Sequence, residues 1–380
     1  MTAAATRAQR QSWLSDTRVG ATITGPDSAS IVVPHATGTP TPAVAPRSLN
    51  REAREAAEHA LLAAGATRSH GAGNRAVPEP ADPNRTCFER DHDRIVHSAA
   101  FRRLAGKTQV HVHPADHQRT RLTHALEVAQ VAVGIARPAG LNATLAEAIA
   151  LGHDCGHGPG GHSSEDAFDI YAADLGPDGF DHATWGADVT LAPLNLCEET
   201  LDGIRNHSWS RPAPATPEGA VVAIADRVAY LAHDLEDAIS AGILPPDAFP
   251  ADLAAALGPD RRTQIATLVA ATVDTINTTG FVALPADLAD AVNAFRSFNY
   301  QRIYARPASR DQNTRVVAVL RALVDHFAHR PELTGQPVTA NPVRDAVAYV
   351  AGMTDRYAFA YAVNHLGWNP ARLPEGIDIA

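Results

Sequence analysis

Apolar positions recur at helical spacing through most of the chain. In RTRLTHALEVAQVAVGIA (119–136), Leu122, Ala125, Leu126, Ala129 and Val133 fall on one stripe, and Pro138 and Gly140 mark its end. A second such pattern covers 143–153, with Thr144 and Glu147 in the spacing of a capping box. Gly156, Gly158, Pro159, Gly160 and Gly161 interrupt it, and a further helix is expected from Ser163 or Ser164. REAREAAEHALLAA (51–64) favours helix by propensity, and DRIVHSAAFRRLAG puts Ile95, Ala99 and Leu104 near helical spacing. Pro212, Pro214 and Pro217 precede a long helical pattern at 218–240. Residues 241–260 hold several prolines and read as a connection, after which 262–277, 286–298, 313–328 and 342–365 read as helices. Alternation of β-branched residues is scarce, and no repeat of fixed period is visible. The fold class predicted is all-α.

Composition adds organisation to this picture. Residues 1–48 are rich in Ala, Thr, Pro and Ser with little periodicity, and are expected to be a low-complexity, disordered arm. A 45% hydrophobic content in 380 residues is enough for a sizeable core. Three cysteines (Cys87, Cys155, Cys197) are too few and oddly numbered for a disulfide framework, so a reducing compartment is expected. No apolar run approaches the ~18 residues of a membrane span. MTAAATRAQRQSWLSD lacks the apolar core of a secretory signal. These features predict a cytoplasmic chain without a membrane partner.

The formal charge is −10, which makes duplex DNA an unsuitable main partner. The charge is unevenly spread. Arg85, Arg90, Arg94, Arg102, Arg103, Lys107, Arg119 and Arg121 face only Glu89, Asp91, Asp93 and Asp116, a local surplus of +4. Such an island suits a compact anionic ligand in one pocket, and from charge alone a salt-bridged helix face fits equally well. Lys107 is the only lysine in the chain.

The strongest chemical signal is the placement of histidine. Ten of the eighteen lie between His92 and His182. GHDCGHGPGGHSSED packs His153, Asp154, His157, His162, Glu165 and Asp166 into fourteen residues beside a glycine-rich loop that lets ligands approach the backbone. Imidazole nitrogen with carboxylate oxygen suits a hydrolytic divalent ion such as Mn, Fe, Zn or Mg. Further ligands must come from elsewhere, and His124 and Asp226 lie on helical patterns. Asp226, Tyr230 and Asp234 are spaced four apart and share one helix face. An HD pair alone means little, since His92-Asp93 and His233-Asp234 also occur, and His59, His207 and His326 stand alone and read as surface or hydrogen-bonded core.

NRTCFERDHDRIVHSAAFRRLAGKTQV, RTRLTHALEVAQVA, EAIALGHDCGHGPGGHSSED, IADRVAYLAHDLEDAI and VAGMTDRYAFA follow one another in this order. Together they resemble the HD-domain superfamily, in its dGTPase-like branch of deoxynucleoside-triphosphate triphosphohydrolases, over about residues 63–365. The resemblance implies an HD-domain helical core over 49–240 with additional C-terminal helices, 241–380, completing a nucleotide pocket. It makes His124, His153, Asp154 and Asp226 ligands of a divalent metal ion (Mn, Mg, Co, Fe or Zn). It makes His162 and Glu165 the catalytic pair, with His157 and His182 beside them. Gln109 and Asp234 match residues near the 3′-hydroxyl, Arg121 and Tyr230 match phosphate contacts, and Tyr304 resembles a tyrosine beside the sugar. Lys107 is a further cation for the triphosphate. The implied substrate is a dNTP, split into deoxynucleoside and triphosphate. Homo-oligomers, and a dNTP effector at a second site, are also implied. Two other readings stand beside this one: an HD phosphohydrolase releasing phosphate stepwise, and a nucleotide-sensing regulator with a silent site. The chain departs from the family pattern at HGPGGH in place of HPPFGH, at ATWGADV after GFDH, and at Asp226-Arg227 in place of a double Asp.

Overall fold

The computed structural model describes residues 21–24, 28, 30–33, 47–110, 118–177 and 179–374. The chain forms two units, Met1–Leu49 and Asn50–Ala380. In the first, Ala21–Thr24 and Ser30–Val33 pair antiparallel, with Ala21 opposite Val33 and Thr24 opposite Ser30. These short β-branched runs are an exception to the disorder expected over 1–48, whose remainder lies almost wholly outside the described residues.

The second unit is all-α among its described residues. Its first half contains α1 (Arg51–Leu61), α2 (Cys87–His97), α3 (Arg121–Ala136), α4 (Ala143–Gly152), α5 (Ser163–Phe168), α6 (His182–Trp185), α7 (Glu198–Arg205) and α8 (Pro217–Ser240). After a short helix at Ala251–Leu257 come α9 (Arg261–Thr279), α10 (Ala286–Asn299), α11 (Pro307–His329), α12 (Pro342–Ala351) and α13 (Asp355–Leu366). No helix among the described residues is long and apolar enough to cross a membrane.

The packing follows from which helices are apolar all round. Helix α4 buries Leu145, Ala146, Ala148, Ile149, Ala150 and Leu151, so it must be enclosed. It packs against α2, α3, α7 and α8. Its contact with α7 is close: a Cβ at Gly203 would lie 2.4 Å from Ile149 Cδ1. The start of α4 is tied to the start of α8 by Glu218. This fully buried carboxylate accepts the Asn142 N–H at 2.9 Å, the Thr67 N–H at 3.1 Å and the Thr67 hydroxyl at 2.7 Å. A second core joins α5 and α6 to α11, α12 and α13 through Phe168, Trp185, Val316, Leu320, Phe327 and Phe359.

Four local expectations are corrected. Asn142, not Thr144, caps α4, its side chain accepting the Leu145 N–H at 3.2 Å, which leaves Thr144 and Glu147 inside the helix. The pattern over 342–365 is two helices, because the chain turns at Gly352 and Met353 and Thr354 caps α13 by accepting the Tyr357 N–H. The connection at 241–260 contains the helix Ala251–Leu257. The helix expected at 313–328 begins earlier, with Pro307 at a first-turn position where its missing N–H costs nothing.

Candidate metal centre and phosphate pocket

Three helices converge on one cluster. The first turn of α3 supplies His124, the end of α4 supplies His153 and Asp154, and the middle of α8 supplies Asp226. His124 Nε2 lies 3.0 Å from Asp226 Oδ1. His153 Nε2 lies 3.7 Å from the same oxygen and 3.5 Å from Asp154 Oδ1. His153 Nδ1 donates its proton to the Ala150 carbonyl, 2.6 Å away. In a neutral imidazole that leaves a lone pair on Nε2. This buried lone pair has no hydrogen-bond partner and faces two carboxylate oxygens, which are also acceptors. Three acceptors around one point repel unless a cation lies among them, so the donor set fits a divalent ion.

The charges agree with this. Burial works against ionisation of Asp226, but the His124 hydrogen bond and the surrounding imidazoles outweigh it and hold its carboxyl below the ordinary range. Asp154 is likewise buried, and the Arg121 guanidinium outweighs that burial and keeps it low. Arg121 Nη1 donates to Asp154 Oδ2 at 2.8 Å. Arg121 was expected at the phosphate. The structure makes it a partner of Asp154, while its Nε and Nη2 are buried without hydrogen-bond partners.

Beside this cluster lies a second. His157, His162, Glu165 and His182 offer ligand atoms within 4.8 Å of one another. The glycine loop carries His157 and His162, α5 carries Glu165, and α6 begins at His182. Glu165 accepts from His182 Nδ1 at one oxygen and from His162 Nδ1, 3.3 Å away, at the other. Burial opposes the Glu165 charge, but these two bonds win and its carboxyl sits far below the usual range. His157 stacks on His182 with ring centroids 3.8 Å apart and places Nε2 3.1 Å from Asp154 Oδ1, linking the clusters. Burial and the Arg121 charge keep His157 neutral.

His207, read from the sequence as a lone core histidine, belongs here. It lies two residues beyond α7, and its Nδ1 donates to the Ile204 carbonyl at 2.7 Å. Its Nε2 is then a lone pair, 3.2 Å from His182 Nε2. That contact needs a proton on His182 Nε2, while His182 Nδ1 already donates to Glu165. His182 is therefore an imidazolium clamped at both ends. Burial lowers its pKa, and the Glu165 bond and charge more than restore it. His207 also stands with His153 and Asp154 as a possible ligand group.

A third group lies further along α8. Asp226 and Asp234 are eight residues apart, about 12 Å at ~1.5 Å per residue. Asp234 is buried, pairs with Arg119, and accepts the Tyr304 hydroxyl. Arg119 also reaches Asp237 at 2.9 Å and Glu127 at 3.4 Å. Tyr230 sits one turn from each of Asp226 and Asp234, its hydroxyl pushed up to about 12 by burial. Gln109 keeps a buried carbonyl oxygen without a hydrogen-bond partner. Lys107 departs from expectation: its ammonium donates to the carbonyls of His157 and Ala351 and does not open onto the clusters.

Two residues besides His207 were not assigned by sequence reasoning. Arg119 stood in the basic island, but nothing in the sequence singles out its carboxylate partners. Asp355 lies in VAGMTDRYAFA, yet only the fold brings it to the glycine loop.

Comparison with known proteins places the chain in a family. Residues 121–231 match the HD domain family, and residues 282–363 match the phosphohydrolase-associated domain. A "deoxyguanosinetriphosphate triphosphohydrolase-like protein" of Caldanaerobacter subterraneus is 40% identical over 326 residues, 81% of this chain and 93% of the relative. The chain belongs to the deoxyguanosinetriphosphate triphosphohydrolase-like family. Relatives described in the same words are found in Desulfatibacillum aliphaticivorans (36% identity, 81% of this chain, 95% of the relative) and Clostridium perfringens (40%, 75% and 88%). A solved hypothetical protein from Aquifex aeolicus has a TM-score of 0.47 at 16% identity, covering 73% of this chain and 68% of its own. Membership makes the chain a hydrolase of the HD phosphohydrolase class. The His124, His153, Asp154 and Asp226 cluster lies wholly within the HD-domain match.

Proposed function

We propose that this chain hydrolyses a deoxynucleoside triphosphate to deoxynucleoside and inorganic triphosphate, with a divalent ion (Mn, Mg, Co, Fe or Zn) held by His124, His153, Asp154 and Asp226. The observation that carries the reading is the His153 Nε2 lone pair facing two carboxylate oxygens, with a histidine–glutamate pair beside it and the Asp234, Arg119 and Tyr304 group about 12 Å away along α8. An ion held by these four residues would supply Lewis acidity. The side chains do the rest. Glu165 accepts from His162 Nδ1, which turns His162 Nε2 toward the reacting centre to give or take a proton. The buried His182 imidazolium and the unpartnered Arg121 nitrogens offset triphosphate charge. Tyr304, Asp234, Gln109 and Tyr230 border the sugar and the nearer phosphates. Tyr304 comes from the region after residue 240, so the C-terminal helices complete the pocket.

The test is a panel of dNTPs and rNTPs with each of the five ions, with products resolved by ion exchange. Intact triphosphate from deoxy substrates is expected. Pyrophosphate or orthophosphate as first product overturns the reading in favour of stepwise release, and tight nucleotide binding without turnover under every ion favours a regulator. Light scattering on the same samples, with and without a non-substrate dNTP, checks for a homo-oligomer and an effector site.

A further inference from the structure

The glycine loop His157–Gly161 carries His162 and is turned locally by Ser164, whose hydroxyl accepts the Gly158 N–H at 3.0 Å and donates to the Gly161 carbonyl at 2.7 Å. Glycine-rich backbone loses more freedom on folding than any other, so contacts from outside the loop add to its order. Two buried charged residues that no catalytic step uses supply such contacts. Lys107 is 3% exposed, and its ammonium donates to the His157 carbonyl at one end of the loop and to the Ala351 carbonyl, the last residue of α12, at 2.9 Å. Asp355 is 4% exposed and opens α13. Its Oδ1 accepts the Gly160 N–H at 2.8 Å, and its Oδ2 accepts the Thr108 N–H at 3.0 Å. The loop is thus held at both ends by groups that also grip the C-terminal helices. Steric fit enforces the same register. Gly160 has φ +72°, and a Cβ there would lie 2.5 Å from Val316 of α11. A Cβ at Gly106, next to Lys107, would lie 2.8 Å from Thr354, the cap of α13.

We propose that Lys107 and Asp355 form a latch through which helices α12 and α13 hold the 157–161 loop, and with it His162, in register over the ligand cluster. Burying two charges is expensive unless each is fully bonded, and here the bonds all go to the backbone of the loop and its neighbours. Lys107 and Asp355 are positioning residues acting through His162, and this role rests on the function proposed above.

Lys107→Met keeps the length of the side chain and removes the donor. Asp355→Asn keeps one acceptor and loses the other. Each is expected to lower kcat per nucleotide-binding site by about 10–100-fold, the cost of a misplacement near 1 Å, with KM within about threefold and bound-metal content unchanged. Amide exchange of the peptide spanning 156–163 should accelerate in both. A purely structural role would lower melting temperature and the fraction of active sites, but leave kcat per site alone. Gly106→Ala adds a wedge without touching a charge and should give the same kcat loss, which covers the case where the charge variants do not fold. Wild-type kcat with unchanged loop exchange in the folded variants overturns the latch, as does loss of metal together with turnover. The exchange measurement needs no substrate. If wild-type protein hydrolyses no dNTP, the proposed function fails while the latch is still judged by loop exchange.

Discussion

His162→Ala separates chemistry from folding and metal binding more cleanly than any other single change. The His162 side chain is 70% exposed, and its one hydrogen bond runs from Nδ1 to Glu165 Oε2 at 3.3 Å. Removing a largely exposed ring that has this one bond and edge contacts with His157 and His182 should cost no more than about 1 kcal/mol of stability. The residue is outside the His124, His153, Asp154 and Asp226 cluster, so bound metal should stay at the wild-type stoichiometry. A positioned acid or base contributes about 10²–10⁴ in rate, roughly 3–5 kcal/mol at the transition state. The expected result is therefore a kcat loss of that size with melting temperature and metal content unchanged. Glu165→Gln should cost at least as much, because Glu165 also holds the His182 imidazolium, and the double variant should cost less than the two single losses multiplied. The assay combines ion-exchange product analysis, elemental analysis of metal and a thermal melt on one preparation. A kcat within about threefold of wild type, or metal lost together with turnover, would refute the assignment.

The remaining predictions follow the same geometry. Asp226→Asn removes a charge that His124 and His153 both face, so metal content should drop, and the melting temperature should stop responding to added divalent ion, where wild type gains about 2.7 kcal/mol at 100 times Kd. Tyr304→Phe deletes the hydroxyl that donates to Asp234, and should narrow the preference for dNTP over rNTP in competition assays. Glu218→Gln weakens three hydrogen bonds that tie the start of α8 to the cap of α4 and to Thr67, and should lower stability by about 1–3 kcal/mol in urea titrations. Burial holds Lys107 at about 8 against an ordinary 10.5, so the unfolded chain binds its proton more tightly than the native one. Stability should rise with pH between those values by something on the order of 3 kcal/mol, and the term should be flat below pH 8, where both states hold the proton. The urea-midpoint gap between wild type and Lys107→Met, followed from pH 7.5 to 10, isolates this term, and a flat gap would contradict it.

Helices α3, α4 and α8 were legible because each is long enough for an apolar stripe to repeat, and the first turn of α3, the end of α4 and the middle of α8 place His124, His153 with Asp154, and Asp226. Helix α6, the π turn Gly186–Thr190 and α7 lie where the pattern predicts no element, since four to eight residues give too few repeats to set a period. His207 follows α7 and was hidden for the same reason. The motif match singled out His124, His153, Asp154 and Asp226, which the fold brings together, because ordered motifs encode which distant residues meet. The destination of a single long cation is not encoded that way. Lys107 and Arg121 both stood in the basic island, yet one binds carbonyls and the other Asp154, and only the fold decides which acceptor a flexible side chain meets.

The contact between Gly203 and Ile149 has a consequence beyond packing. Ile149 lies one turn before His153 on α4, and Gly203 lies four residues before His207. One added methyl at Gly203 would drive apart the two rods that carry these imidazoles, although it touches neither ring. The tolerance for error at the reacting centre is thus written partly into a spot where the chain carries no side chain at all, and drift there would blunt the chemistry while every ligand remained in the sequence.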